Sequence, residues 1–582
     1  MSNPLIDDRL VDLILWDVVD AASLTELEPF EEHNRETFEG YVRSCRRLAR
    51  EVLFPAYREM DEQGPVLIDG RVKLHEKMGG IFGQLAELGV IAATRPEEVG
   101  GASLPSTVAV MAHAYLMAAN LSAYGLCGLT TGAAHLIEAF GDEWTKEHFL
   151  TPMYEGRWTG TMALTEPHAG SSLGDLSTKA RDAGDGTYRI SGSKIFISGG
   201  DHDIAENVVH LTLARIEGAP AGTKGISLFA VPRLRRDGEA LVDNDVEISG
   251  LIHKIGWRAL PSLALSYGTR EDCHGWLIGE AGRGLACMFQ MMNEARLMIG
   301  VNGVATASVA YQESLAYARE RTQGRPLGSR DPKAPQVPLI EHADVRRMLL
   351  RQKSIVEGGL CLAAVTARIS DEAAQGDEDA KLLLDLLTPI TKSFPAEAGY
   401  QANVAALQIH GGYGYSSEYL PEAWLRDQKL NSIHEGTTGI QSLDLLGRRV
   451  MAKGGKALAG FGAAVQRDLE LASADASIDF SDLGRAMQRV GSLTATLGAR
   501  GLAGDVVGML AHSSDYLELF SILVIGWMHV KLTNAAKDDE LGHGLRQSAR
   551  YWLATEVPRI EHLASLCESA EPSYVDMQDA WF

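Results

Sequence analysis

Cysteine is scarce in this sequence: six residues in 582 (Cys45, Cys127, Cys273, Cys287, Cys361 and Cys567), with no C-x-x-C pair and no regular spacing. That argues against a disulfide framework or a zinc site and for a reducing compartment. Positive charge is scarce too. The 54 Lys and Arg face 77 Asp and Glu, a formal net charge of -23. Nucleic-acid binders carry a basic stripe that replaces phosphate counterions, so a polyanionic partner is excluded, whereas a small anionic ligand needs only a few local donors. Long apolar runs are missing: "LFSILVIGWMHV", near the C-terminus, is too short to span a bilayer and reads as a buried helix. The opening "MSNPLIDDRLVDLILWDVVD" is acidic and lacks the basic-then-apolar layout of a signal peptide, so a cytoplasmic location is expected. There is no internal repeat and no H-E-x-x-H. His342, His410 and His434 lack ligand spacing, and no metal is expected.

What is present is ordinary globular material, 45% hydrophobic and 23% charged, long enough for several domains. Residues 1–155 are helical in pattern, with apolar residues at three- and four-residue intervals in "RETFEGYVRSCRRLAREVLFPAYREMDE" and "KLHEKMGGIFGQLAELGVIAA". From about 157 the segments become short, β-branched and separated by Gly, Asp and Asn, as in "TYRISGSKIFISGG", "NVVHLTLARI" and "GISLFAVPRL". Helical periodicity returns after 278, and the small-residue segment "AKGGKALAGFGAA" marks a joint before a last helical block. The expected organisation is a helical extension (1–40), a helical domain (41–156), a β domain (157–278), a helical bundle (279–455) and an extra helical domain (456–582). The fold class is mostly α with a central, barrel-like β domain.

Several stretches carry candidate chemistry. "TMALTEPHAGSS" (161–172) puts Thr165, Ser171 and Ser172 around a proline and a glycine turn at a strand end, where free N–H groups approach phosphate closely; a plain polar turn is the blander reading. In "SGSKIFISGG", Phe196 and Ser198 alternate on one strand face. They could cover a flat ring and hydrogen-bond to it, or simply pack. "NSIHEGTTG" sets one acid, Glu435, against Gly436 at a loop-to-helix junction, where a helix N-terminal acid is the default explanation.

Taken in order, "PEEVGG", "TMALTEPHAGSS", "ISGSKIFISGG", "HKIGWRALPS", "GEAGRGL", "NEARLMIGVNGVA", "ARERTQGRPLG" and "LQIHGGYGYSSEYLPEAWLRDQKLNSIHEGTTGIQ" resemble the acyl-CoA dehydrogenase family across residues 96–441. The extra N- and C-terminal segments resemble its larger subgroup, which includes 3-methylthiopropionyl-CoA dehydrogenases and broad-range fatty acyl-CoA dehydrogenases. The resemblance implies FAD as cofactor. Met162, Thr165 and Ser171 fall where the family holds the flavin ring and pyrophosphate. Phe196 replaces a tryptophan against the flavin, and Ser198 replaces a threonine. Arg321 and Gln323 match residues that reach the FAD of a neighbouring subunit, although the aromatic of the family's F-G pair is absent before Gly324. Gln408, Gly411 and Gly412 match the segment that cradles the distal part of FAD, and Thr437 a further FAD contact. Ser171, Asn293, Arg296, Glu435 and Gly436 match substrate contacts, Asn293 and Arg296 at the pantetheine arm.

Glu435 aligns with the family's catalytic base. A thioester α-proton is weakly acidic, so its removal needs a carboxylate against the α-carbon and donors for the enolate oxygen. The implied donors are the Glu435 N–H and a flavin ribityl hydroxyl. Some members place the base directly before the arginine of "NEARLMIG". That position is Ala295 here, and Glu294, one residue earlier, should point about 100° away around the helix. His434 stands where tyrosine is frequent. The expected reaction is α,β-dehydrogenation of a saturated medium- or long-chain acyl-CoA, with 3-methylthiopropionyl-CoA as the alternative substrate and an electron-transfer flavoprotein as acceptor. Oxygen-using members of the superfamily lack the glutamate. A DNA-binding alkylation-response role is disfavoured because residues 456–582 carry 10 basic against 17 acidic residues. The Arg321 match implies at least a homodimer, with a homotetramer as the alternative.

Overall fold

The structure is a computed structural model that describes residues 3–472 and 478–582, with only the backbone described for 290–292. The chain divides into two compact units. One comprises Met1–Arg35, Pro105–Ala114 and Arg296–Phe582; the other comprises Glu36–Leu104 and Tyr115–Ala295.

The second unit begins with helices Glu36 onward to Leu48, Phe54–Glu62 and Glu76–Glu87. Between the last two, strands β1 (Val66–Ile68) and β2 (Arg71–Lys73) form an antiparallel hairpin in a stretch whose sequence surroundings are helical in pattern. The cause is local. Asp69 and Gly70 both adopt left-handed backbone (φ 49° and 74°), the geometry of a two-residue hairpin turn.

Ten further strands follow: β3 (Trp158–Ala163), β4 (Lys179–Asp182), β5 (Tyr188–Ser198), β6 (Asn207–Ile216), β7 (Ile226–Pro232), β8 (Leu234–Asp237), β9 (Ala240–Asp243), β10 (Val246–Leu251), β11 (Ser262–Tyr267) and β12 (His274–Ile278). The main sheet runs β10-β11-β5-β12-β7-β6-β3, and β4 pairs with both β5 and β6. That double pairing closes a ring, β5-β12-β7-β6-β4, in which each strand is paired on both sides, while β10 and β3 end the sheet. Every residue of β7 is buried, and Phe229, Val231, Ile190, Leu263 and Tyr267 share one apolar core.

Helix Ser106–Phe140 breaks at Asn120 (φ -159°, ψ 91°). The Asn120 Oδ1 accepts from the Ala123 N–H at 3.1 Å, so the side chain caps the second half of the helix where the first half ends.

In the first unit, helices Gly284–Glu320, Ala343–Ala374 and Glu378–His410 form the frame. Gly300 and Gly303 let the first approach the last at backbone distance. A Cβ at Gly300 would lie 2.1 Å from the Thr391 carbonyl oxygen, and one at Gly303 2.9 Å from Pro395. Helix Ser513–Ala535 is long and apolar enough to cross a membrane, and 83% of its apolar window is buried. It packs on Ala343–Ala374, Glu378–His410, Thr438–Asp444 and the neighbouring C-terminal helices, which accounts for its composition.

Candidate active site

Glu435 stands at a turn that the surrounding sequence builds with some strain. Helix Pro421–Lys429 runs into a single 3-10 turn, Leu430–Ser432, and helix Thr438–Asp444 starts just beyond. Thr437 caps that helix, its side chain accepting from the Ile440 N–H at 3.3 Å. Glu435 is therefore not the capping acid; it precedes the cap by two residues. Both Glu435 (φ 51°) and Gly436 (φ 86°) are left-handed. Glycine adopts this freely, whereas a residue with a Cβ does so at a cost of about 1–3 kcal/mol, which the surroundings must over-determine.

The surroundings do so through side-chain amides and one ammonium. Gln441 Nε2 donates to the Glu435 carbonyl at 3.1 Å. Lys392 Nζ donates to the Gly436 carbonyl at 2.8 Å. Below them, Asn302 donates to Asn431 Oδ1 (2.9 Å), Asn431 to Gln428 Oε1 (3.3 Å), and Gln428 to the Pro395 carbonyl (2.7 Å). His434 reaches Asn431 Oδ1 at 3.3 Å. Burial, reinforced by the Lys392 charge, pulls the His434 imidazole down to about 3, so it is neutral at physiological pH.

Burial pushes the Glu435 carboxyl above the usual range, against the opposing charges of Arg296 and Lys392. Arg296, expected at the pantetheine arm, is only 3% exposed, and its Nη1 lies 3.3 Å from Asp444 Oδ2. Asp444 in turn takes Arg448 (2.8 Å) and Arg449 (3.2 Å). The guanidinium thus faces the carboxylates of its own unit. Glu294, the rejected rival base, pairs with His135 at 2.8 Å. Burial favours its neutral form, but the His135 hydrogen bond and the His135 and Arg95 charges outweigh it and hold the carboxyl below its ordinary value. Asn293 beside it is half-buried.

A second group in the same unit as Glu435 lies on the surface of this chain. Arg321, Gln323, Gln408, Gly411 and Gly412 are all exposed. Their two segments are adjacent, since Tyr317 stacks on His410 with ring centroids 4.3 Å apart. The stem of the 321–338 loop is fixed by Gln323 N–H to the Val337 carbonyl (3.0 Å) and Leu339 N–H to the Arg321 carbonyl (2.8 Å). A Cβ at Gly411 or Gly412 would meet nothing within 4 Å, so this backbone is open to close approach.

The third group is in the other unit. Met162 is half-buried near the end of β3, and the Thr165 carbonyl accepts from the Ile195 N–H of β5 at 2.9 Å. The β5–β11 register slips between Leu263 and Leu265, a bulge at Ile195–Phe196. Phe196 is left-handed (φ 61°) and 60% exposed, whereas Ser198 pairs in register with Ser262. The bulge thus leaves the Phe196 ring facing outward, with one face open to a flat partner. Ser171 is exposed on the loop between β3 and β4.

That loop is anchored by a residue the sequence reading passed over. Glu166, 2% exposed, accepts from Ser177 N–H and Oγ (both 2.7 Å), Thr178 N–H (3.0 Å) and Oγ1 (2.6 Å), and Lys194 Nζ (2.9 Å). Burial alone would raise its carboxyl; Lys194 and the four hydroxyl and amide donors instead bring it down to about 2. The only textual hint is the T-E-P sequence itself, and its partner Lys194 is 28 residues away.

These donors fit FAD: an exposed ring held by a strained bulge, hydroxyls at Thr165, Ser171 and Ser198, and an exposed arginine beside open glycine backbone. Among the described residues no group of acidic, histidine and cysteine side chains could hold a metal ion.

Comparison with known proteins agrees. Models of the acyl-CoA dehydrogenase N-terminal, middle and C-terminal domains match residues 35–157, 161–268 and 282–451, and an acetyl-CoA dehydrogenase C-terminal-like model matches 461–578. The chain is 37% identical to a 3-methylmercaptopropionyl-CoA dehydrogenase of Ruegeria pomeroyi, over 91% of this chain and 90% of the relative. It is 33% identical to the broad-specificity linear acyl-CoA dehydrogenase FadE5 of Mycobacterium tuberculosis, over 89% and 86%. In fold it resembles ACDH-11 of Caenorhabditis elegans, solved with C11-CoA (TM-score 0.77, 20% identity, 100% of this chain and 96% of the other). It also resembles an acyl-CoA dehydrogenase of Bacillus anthracis complexed with FAD (TM-score 0.76, 20% identity, 94% and 90%).

Proposed function

The chain belongs to the acyl-CoA dehydrogenase family, flavin-dependent oxidoreductases acting on CH–CH bonds, and from that premise we propose that it oxidises a linear saturated acyl-CoA to the trans-2-enoyl-CoA with Glu435 as base. The observation that carries the assignment is the Glu435 environment. A half-buried carboxylate of raised proton affinity is aimed by a left-handed turn and faces two cations, Arg296 and Lys392. Burial favours proton uptake by this carboxylate, and the charges of Arg296 and Lys392 oppose it. FAD, when bound, accepts the hydride from the β-carbon. The Glu435 N–H is the protein donor for the thioester oxygen as negative charge builds there. Phe196, Ser198, Thr165 and Met162 hold the isoalloxazine, Ser171 the pyrophosphate, and Arg321, Gln323, Gln408, Gly411 and Gly412 the distal FAD of a second subunit in a homodimer. Asn293 orients the pantetheine arm, and an electron-transfer flavoprotein in the cytoplasm removes the electrons.

For the acyl tail, the accessible positions of helix Ser106–Phe140 within 121–132, just beyond its break, are Gly125, Gly128, Leu129, Thr131 and Gly132, while His135 and Glu138 are accessible further along. The uncharged stretch at helical spacing fits an unbranched chain. The 37% identity to a 3-methylmercaptopropionyl-CoA dehydrogenase favours a second reading, a thioether tail, which the same stripe accommodates. Turnover across saturated chain lengths and the thioether substrate separates the two; equal rates on all would remove both preferences.

Glu435→Gln should give yellow, FAD-loaded protein with turnover down at least a thousand-fold, roughly 4 kcal/mol of barrier. Glu294→Gln should leave turnover within a few-fold of the unaltered protein. Survival of activity in the first and its loss in the second would reverse the assignment.

A further inference from the structure

Lys392 is fully buried, at 0% exposure, in helix Glu378–His410 between Pro389 and Pro395. Lysine is almost never buried this completely without a carboxylate partner. Among the described residues no carboxylate lies within ion-pair distance of its Nζ; the atom donates instead to the carbonyl of Gly436, the residue after Glu435. We propose that Lys392 is a positioning residue for the dehydrogenation, holding the left-handed turn through the Gly436 carbonyl and placing its positive charge next to the turn that carries Glu435. This inference rests on Glu435 being the base.

Three observations support it. First, two cations face Glu435, but they are not equivalent. Arg296 has a direct counter-ion in Asp444, which it shares with Arg448 and Arg449, and it is the stronger of the two charges acting on Glu435. Lys392 has no such counter-ion, and the carboxylates that act on it through space are Glu435 and Glu397. Second, the other charged groups around the turn do not substitute for it. His434 is neutral, and Glu397 accepts a hydrogen bond from Thr438 Oγ1 at an exposed position. Third, the turn needs an external hold. A Glu at φ 51° followed by a Gly at φ 86° has, among the described residues, two side chains on its carbonyls, Gln441 and Lys392, of which Lys392 is the charged one.

Two substitutions separate the two roles. Lys392→Gln offers an amide N–H to the Gly436 carbonyl but no charge; Lys392→Met offers neither. Removing the charge takes away an influence that lowers the Glu435 pKa, so its titration moves to higher pH. In kcat/KM the acidic limb should rise by about one pH unit in both variants. In the Gln variant, turnover at high pH should return to within about three-fold of the unaltered enzyme. In the Met variant it should stay about 10- to 100-fold low even there, because the turn has lost its hold. FAD content and KM for the CoA ester should change little. A Met variant that fails to bind FAD leaves the decision to the Gln variant, which is close to lysine in length. An unshifted acidic limb in the folded Gln variant overturns the charge role, and full activity of a folded Met variant overturns both. Activity surviving in Glu435→Gln would refute the base itself; an inactive Glu435→Gln beside an unshifted Lys392→Gln refutes only the role given to Lys392.

Discussion

The β domain and the helical bundle each set a glutamate near a buried lysine, and they use the two residues in opposite ways. In the β domain, Glu166 and Lys194 touch at 2.9 Å, and Glu166 collects four further donors from Ser177 and Thr178. In the bundle, Lys392 binds a backbone carbonyl, and among the described residues Glu435 has no direct ion pair. The first carboxyl is held near 2 and the second is pushed above its normal value. A saturated buried carboxylate is a strut: it has no remaining capacity to react, and it fixes the loop that carries Thr165 and Ser171. An under-satisfied one is free to react, the role proposed above for Glu435 as the reagent. The same residue types become structural or reactive according to how many donors the backbone supplies.

Experiments can break or sharpen this contrast. Glu166→Gln leaves Lys194 buried and uncompensated, so the FAD-loaded protein should lose about 3–5 kcal/mol in chemical denaturation. A loss under 1 kcal/mol would show that Glu166 is not a strut. Acid should expose the same difference. A group whose folded pKa is depressed contributes stability that is fully present above its ordinary value of about 4.5 and lost as pH falls towards 2. Unfolding between pH 5 and pH 2.5 should therefore show a fall on the order of 3 kcal/mol assignable to Glu166, absent in Glu166→Gln. The smallest effect belongs to the reagent. Glu435→Gly should abolish turnover yet raise stability by about 0.5–1 kcal/mol, the left-handed strain relieved less the entropy cost of glycine. Thermal denaturation of the loaded protein measures it, and a destabilised variant would mean that the turn carries no strain.

The alternation of short segments after 157 conveyed the β domain, and ordered motifs conveyed the family and pointed to Glu435, Phe196 and the exposed glycines as candidates. What escaped the sequence has a common cause. Glu166 and Lys194 are 28 residues apart, Lys392 and Glu435 are 43 apart, and each lysine sits inside a regular element where its own neighbours give no sign of a buried charge. The resemblance implies a pantetheine contact for Arg296, and its ion pair with Asp444, 148 residues on, has no sign in the local sequence. The β1–β2 hairpin was a different kind of miss. "DG" between Ile68 and Arg71 is a local hairpin signal, and it was submerged in a long helical context. Backbone strain at Phe196 and Glu435 has no signature in composition at all, because both positions hold residues that ordinarily avoid it.

The buried apolar helix Ser513–Ala535 bears on how this chain could be shortened. Ile525 presses on the backbone of Gly358, where any Cβ would lie 2.6 Å away, and Ser513 meets Ser442, 3.1 Å distant, in the helix that begins just after Glu435. A version trimmed at the joint near 455 would not be a smaller catalyst but a sticky remnant, its bundle stripped of a wall and its reactive turn resting on water.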